Sequence, residues 1–296
     1  MRISDRMLTD TIRADLQSSL QNLSVLQNEL ATGKRINNPS DDPTGTAMAM
    51  RYSTDLSLNA EYQRLGNNAK GRLDAIDSAL GNLDDVLQRA RELAVQAANG
   101  TLSPVDEANI ATEVNQLANQ AIQLGNTNFG GVYLFGGTLT TTAPFTATGG
   151  ATPTSVTYNG NTTPIVLSLG QGSSVQVDAP GNQAFLPAIN ALINLRNAVS
   201  GGNPQQAAAA AIGTIDNALD AVQAQRGDIG ARTNGLTNLL SRMSDESTNL
   251  TALQSNIADA DITDVITRLY SAQNVYQAAL GAAAKVIQPT LADFLR

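Results

Sequence analysis

The chain has 296 residues, a formal net charge of −8, 4% aromatic residues, and no Trp, Cys or His. Without His and Cys, Ser-His-Asp and Cys-His nucleophilic sites are excluded, together with disulfides and nearly all zinc sites. The acidic balance, with no basic run beyond Lys34-Arg35, argues against nucleic acid as a partner.

Few large side chains are available to fill a deep globular core, but Leu and Ala are abundant and suit thin seams between helices. Met1 to Arg6 leads into polar sequence with no apolar h-region, so a cleavable Sec leader is not expected. The longest apolar run, Ala278 to Ala284, falls far short of the ~18 residues a membrane span needs.

Taken in order, Ile12, Leu16, Leu20, Leu23 and Leu30 place an apolar stripe on a first helix, from about Ser4 to Thr32. Gln27 interrupts that stripe, and Gly33 suits the helix C-terminus. The segment Gly33 to Asp42 is dense in turn formers. Asp42 is placed to cap the next helix, with Pro43 at its first position, where a missing N–H costs nothing.

The following helix, from about Thr44 to Asn99, is the centre of the chain. Tyr62, Ala69, Ile76, Leu83, Ala90 and Ala97 recur every seven residues, and Leu73, Leu80, Leu87 and Ala94 follow four residues behind. That spacing makes a narrow seam for a helix packed almost parallel to its own axis. At ~1.5 Å per residue such a helix is about 75–80 Å long, which predicts a rod. Ser103-Pro104-Val105-Asp106 approximates a capping box for a third helix carrying Ile110, Val114, Leu117, Ala121 and Leu124.

Beyond Gly125 the pattern becomes β. Val132 to Phe135 reads as a strand between glycine pairs, and Ser155–Tyr158, Ile165–Leu167 and Val175–Val177 read as further strands. Asn159-Gly160 is a hairpin-turn signal. Gly136-Gly137 and Pro180-Gly181 are expected to close the neck of a module that folds around Val156, Tyr158, Ile165, Leu167, Val175 and Val177. Replacing 139–183 with a short linker is expected to leave the helices folded.

Helical periodicity resumes at Phe185, pauses at Gly201 to Pro204, and continues through Ile212, Ile215, Leu219 and Val222. A turn is expected at Arg226-Gly227-Asp228. Leu236, Leu240, Met243, Leu250 and Ile257 form a stripe with intramolecular partners. Between Asp259 and Asp264 the phase slips, and a last stripe begins: Ile262, Val265, Leu269, Ala272, Tyr276, Ala279, Ala283 and Val286.

The fold class expected is mainly α: a long antiparallel coiled-coil-like helical rod with a small inserted β-rich module. Its expected parts are terminal helices at 1–40 plus 258–296, a rod at 41–137 plus 185–257, and the β-rich part at 138–184. Two thin terminal stripes bury too little apolar area to order alone. Segments 1–35 and 262–296 are therefore expected to order in an assembly, through Leu16, Leu20, Leu23, Leu30, Leu269, Tyr276, Val286, Leu291, Phe294 and Leu295.

Other motifs point to structure more than chemistry. Asp259-x-Asp261 opens like a calcium loop, but the sixth position is Asp264 and the twelfth Tyr270, where Gly and Glu are needed. Asp41-Asp42 fits capping better than acid–base work. Gly170-x-Gly172 lacks a strand–helix context for phosphate and reads as a hairpin or bulge. No catalytic, cofactor or metal site is expected.

Leu30-Ala31-Thr32-Gly33-Lys34-Arg35-Ile36-Asn37 with Ser40-Asp41-Asp42-Pro43 resembles the N-terminal signature of bacterial flagellins and their hook-associated relatives. Ile257-Ala258-Asp259-Ala260-Asp261, Ala272-Gln273, Tyr276-Gln277 and Leu280 resemble the C-terminal signature. Flagellins commonly have Asp-Asp-Ala-Ala-Gly where this chain has Asp41-Asp42-Pro43-Thr44-Gly45. Val132 to Thr138 and the ending Lys285 to Leu295 are more similar to hook-associated members.

The resemblance implies a non-enzymatic subunit joining the hook, through hook-associated protein 1, to the flagellin filament. It also implies type III export to an extracellular place in the flagellum, an export chaperone, and a ring of identical copies. Terminal helices would line the inner tube, and the β module would face outward. A small divergent flagellin remains an alternative, as does a secreted coiled-coil adhesin or effector with its site in the β module.

Overall fold

The structure, a computed structural model, describes residues 2–99, 102–170, 172–201 and 204–287. Among these, three helices, six short strands and three further helices follow in order: α1 (Arg2–Thr32), α2 (Pro43–Ala98), α3 (Pro104–Gly125), β1 (Asn128–Phe129), β2 (Val132–Tyr133), β3 (Phe145–Thr148), β4 (Ser155–Tyr158), β5 (Val166–Ser168), β6 (Ser174–Gln176), α4 (Phe185–Val199), α5 (Pro204–Ala258) and α6 (Ile262–Ile287). The chain divides into two compact units, Met1–Asn59 with Asp245–Arg296, and Ala60–Ser244. Both divisions fall inside helices, α2 and α5, and not at a loop.

The second unit holds the hydrophobic core. On α2, Leu73, Ile76, Leu80, Leu83, Leu87, Ala90 and Ala94 are all buried, which is the seam expected from the heptad spacing. Ala79, Val86 and Leu93 are buried as well, so the apolar face is wider than a two-position seam. The reason is a second neighbour. Arg91 pairs with Asp216 and Arg226 with Asp77 across to α5, while Arg89 reaches Glu113 on α3.

The α2–α5 pairs run in opposite senses: residue numbers fall on α5 as they rise on α2, from Gln63–Met243 through Asp77–Arg226 to Arg91–Asp216. The helices are therefore antiparallel. These ion pairs are exposed and contribute little each; the buried Leu and Ile rows contribute most. At the start of α3, Ser103 and Asp106 form the reciprocal capping box, with Pro104 in the first turn.

Arg226-Gly227-Asp228 is not a turn. The three residues lie inside α5, where Arg226 bonds Asp77 and Asp228 pairs with Arg232. Glycines lower helix propensity by only about 1 kcal/mol each, less than the burial of Val222, Ile229 and Leu236 on either side.

The β-rich part is three separate two-stranded hairpins. Gly130 and Gly131, at φ 60° and 85°, make the tight β1–β2 turn that L-residues with a Cβ enter only with strain. The single strand expected over Val132 to Phe135 thus stops at Tyr133. Leu134 and Phe135 leave it to bury fully in the core.

β4 pairs backwards with β3, which the sequence pattern did not reveal, with Phe145 opposite Tyr158. Asn159-Gly160 is consequently not a hairpin turn, and Gly160 has no positive φ. The Asn159 N–H donates to Pro144 O and its amide to Thr146 Oγ1, so it extends the β3–β4 contact. The hairpin glycines are instead Gly170 and Gly172 between β5 and β6, both at positive φ.

Entry to and exit from this part meet directly. Phe135 O accepts both the Gly181 N–H and the Tyr158 hydroxyl, each at 2.9 Å. The rings of Phe135 and Phe185 lie 4.4 Å apart, and Phe145 stands 6.0 Å from Phe185. Phe145, Leu169 and Val177 belong to the same buried cluster as Leu83, Leu192 and Ile215. Val156, Tyr158, Ile165, Leu167 and Val175 pack against that cluster half-buried.

The Arg196 guanidinium on α4 adds a polar tie, donating to Pro153 O at 2.6 Å and to Asn115 on α3. The hairpins therefore share the helices' core and have none of their own. Replacing 139–183 with a short Gly/Ser linker removes Phe145, Leu169 and Val177, and each large buried side chain lost costs about 2–5 kcal/mol. The expected outcome is a lower and broader urea transition for the remaining helices. An unchanged midpoint would show that the helices are self-sufficient.

Candidate assembly surface

Both candidate signature segments lie in the first unit, and they are hydrogen-bonded to each other. Gly33, at φ 69°, ends α1 in the left-handed turn that closes a helix C-terminus, its N–H on Glu29 O. The chain then runs alongside the α5–α6 break. Lys34 and Asp259 form an antiparallel bridge, the Arg35 N–H donates to Ala258 O at 2.8 Å, and the Ala260 N–H donates to Gly33 O at 3.0 Å. The Arg35 guanidinium reaches Ile257 O at 2.7 Å and Asp42 Oδ2 at 3.4 Å.

The paired acids have distinct tasks. Asp41 Oδ2 accepts the N–H groups of Asn37 and Asn38 at 3.1 and 2.8 Å, which rigidifies the loop. Asp42 Oδ1 accepts the Gly45 N–H at 2.8 Å and so caps α2 as expected. A Cβ at Gly45 would meet Asp42 Oδ2 and stand 2.7 Å from Ile36 Cδ1, so a larger residue here would displace the Asp42 cap and the Ile36 side chain, a close approach that sequence reasoning did not single out.

Asp261, at the break, caps α6 through Oδ1 to the N–H groups of Thr263 and Asp264. Asp259 accepts the Ser255 hydroxyl. The Asp259-x-Asp261 pair is thus a helix stop followed by a helix start. Among the described residues no group of three or more acidic side chains could hold a metal ion, and no helix is long and apolar enough to cross a membrane.

α1 and α6 pack against each other in opposite senses: Ser19, Asn22 and Leu26 share a cleft with Val275, Ala272 and Arg268. Among the described residues of this unit, the buried apolar side chains are only Leu26, Val265 and Ala283. Leu16, Leu23, Leu30, Leu269 and Tyr276 are half-buried, and Leu20 is 52% exposed. The seam also carries charge: Glu29, only 8% exposed, sits 3.5 Å from Arg268.

Val286 is in α6, but its side chain is outside the described residues, as are Leu291, Phe294 and Leu295 altogether. Ile262, placed at the head of the last stripe by its spacing, instead begins a second apolar row with Ile266 and Tyr270 at four-residue steps; all three are exposed, Tyr270 by 64%. On α2, Met50 is 66% exposed. Periodicity finds the row facing a partner within the chain; it cannot flag a row whose partner is elsewhere.

Two helices latched by a polar loop that leave this much apolar surface uncovered present the kind of patch that marks an interaction surface. The chain belongs to the bacterial flagellin family: residues 3–140 match the bacterial flagellin N-terminal helical region and 212–295 match the C-terminal helical region. The flagellar hook-associated protein 3 of Salmonella typhimurium is 29% identical, over 94% of this chain and 95% of that one. A flagellin of Listeria monocytogenes is 27% identical, over 88% and 87%.

Among solved structures, FlgL of Bacillus cereus aligns with a TM-score of 0.61 at 23% identity, covering 69% of this chain and 99% of that one. Flagellar hook-associated protein-3 of Legionella pneumophila aligns at 0.60 and 16%, covering 72% and 98%. These structures share the fold of α helices with a small strand-bearing part. This is a structural protein of the flagellum, and its relatives are structural flagellar proteins.

Two outcomes are expected. Asp42→Ala removes the α2 cap at a cost of about 1 kcal/mol, and Arg35→Ala frees Ile257 O; each should speed amide exchange at 44–46 and 258–260 and leave 73–94 unchanged. In the isolated monomer, amides of 10–30 and 262–283 should exchange at least about tenfold faster than those of 73–94, because local opening is easiest where few apolar groups are buried. Equal protection in both units would overturn that account.

Proposed function

We propose that the chain is the subunit joining the flagellar hook to the flagellin filament. Its partners would be hook-associated protein 1 on one side and flagellin on the other, with further copies of itself completing a ring. Similarity to hook-associated protein 3 over 95% of that protein's length supports the reading.

The observation that carries it is the imbalance between the two units. The second unit buries its own stripes, whereas α1 and α6 leave apolar rows uncovered. Backbone ordering costs about 1–2 kcal/mol per residue, and three buried apolar side chains offset little of that over two helices. Neighbouring subunits supply the missing burial. The assembly contacts are Leu16, Leu20, Leu23, Leu30, Leu269, Tyr276 and Val286 in the helices, with Leu291, Phe294 and Leu295 beyond them.

On this reading the terminal helices line an inner tube, and the hairpins of the second unit face outward. The protein is exported through the flagellar type III route with a chaperone and acts outside the cell. A junction must bind two unlike partners better than it binds itself in an open-ended way.

A strain lacking the protein is expected to secrete flagellin monomers into the medium and to build no filament. Deleting 287–296 should leave secretion intact and give the same loss of filaments. Full-length filaments on the null strain would sink the junction reading. Long filaments grown by the purified protein on its own seeds would make it a small flagellin.

A further inference from the structure

The inward positions of α1 and α6 follow the same four-and-three steps. On α1 they are Ile12, Leu16, Ser19, Leu23, Leu26 and Leu30, and on α6 Val265, Leu269, Ala272, Tyr276, Ala279 and Ala283. A seam of this kind has a weakness. A slip of seven residues exchanges Leu16, Leu23 and Leu30 for one another, and apolar contact is non-directional. Contact between Leu and Ala rows therefore does little to choose one register, or to choose α6 over a second copy of α1.

One charged pair breaks that degeneracy. Glu29 is the only charged residue between Leu16 and Thr32, and Arg268 is the only one between Val265 and Ala284. They meet: Arg268 Nη2 stands 3.5 Å from Glu29 Oε2, while Asp264 holds Arg268 Nε at 2.9 Å. Among the described residues of this unit, Glu29 is also the one charged side chain that is buried. Each lies directly before an inward leucine, Leu30 or Leu269, on the flank where charges of paired helices meet and set orientation and partner. Asn22 and Val275, seven residues away on each helix, line the cleft beside that same Arg268.

We propose that Glu29 and Arg268 are the specificity-determining pair of the terminal helices, selecting α1 against α6, antiparallel and in a single register. The latch between 33–35 and 257–260 fixes one end, and the pair carries that register into the helices. The alternatives each strand or oppose the buried carboxylate. A slip of seven residues places Glu29 opposite Val275 in one direction and opposite Asp261 in the other. Two α1 helices paired antiparallel about Asn22 place Glu29 opposite Asp15. A buried carboxylate left without a cation is costly. The pair therefore discriminates by penalising wrong partners more than by adding stability. It acts within one chain, whatever that chain assembles with.

Disulfide trapping in the full chain tests this, and the absence of native Cys makes the products unambiguous. Asn22→Cys with Val275→Cys reads the observed register; Asn22→Cys with Ala282→Cys reads the slip of seven residues. Under mild oxidation the first pair should close within one chain at least about tenfold faster than the second. Glu29→Met with Arg268→Met keeps the volume and removes the charges. It should bring the two rates within about twofold, while amides of 73–94 stay protected. With Asp264→Asn throughout, to remove the neighbouring acid, Glu29→Arg alone should lose the preference, and adding Arg268→Glu should restore it. A wild-type ratio near one, a Met pair that keeps the wild-type ratio, or a reversed pair that restores nothing overturns the proposal. Where the Met pair does not fold, the reversed pair decides.

Discussion

An α-helix cannot bury its own apolar stripe, and every feature of this protein follows from where each stripe finds cover. α2 sets the terms. Its Leu73, Ile76, Leu80, Leu83 and Leu87 are fully buried because α5 returns along one side and α3 lies on another. Burying such a side chain is favourable by about 1.5–3 kcal/mol, and the row is long enough to order the second unit without outside help. α1 and α6 have only each other. Their seam contains Glu29, Arg268, Ser19 and Asn22 among its Leu and Ala residues, and it covers a fraction of the apolar surface present.

The signature loops explain how a weakly cored pair of helices can still be held in register. Register comes from backbone and side-chain hydrogen bonds between 33–35 and 257–260, from the Asp42 and Asp261 caps, and from the close approach at Gly45. Hydrogen bonds of this kind contribute about 0.5–1.5 kcal/mol each, but they are directional, whereas apolar contact is not. A polar latch therefore suits a region that buries little apolar surface within the chain. It also gives Asp41 and Asp259 structural tasks that a search for catalytic carboxylates would have misassigned.

The places where sequence patterns misled share one cause. Asn159-Gly160 carries a strong local turn preference, yet its backbone belongs to the β3–β4 contact, because Phe145 packs on both Tyr158 and Phe185 and the Tyr158 hydroxyl donates to Phe135 O. Arg226-Gly227-Asp228 has two weak helix formers, yet the helix passes straight through, with Val222 and Ile229 buried on its inner face. In both cases local propensity is worth about 1 kcal/mol, and non-local burial is worth several times that.

The sequence by itself determined five of the six helices almost to their ends, α5 apart from its unbroken passage through Gly227, the heptad seam of α2, the capping box at Ser103, the break at Asp259 and the family. These depend on periodicity and on caps within a few residues, interactions that local spacing encodes. Only the tertiary structure decided that the hairpins have no core apart from the helices, that β4 pairs with β3, and that Asp178 is fully buried. It also decided that Ile262, Ile266 and Tyr270 are left facing outward. Those outcomes depend on which surfaces remain uncovered once the chain has packed, and a stripe of apolar residues looks the same in sequence whether its partner is the same chain or another.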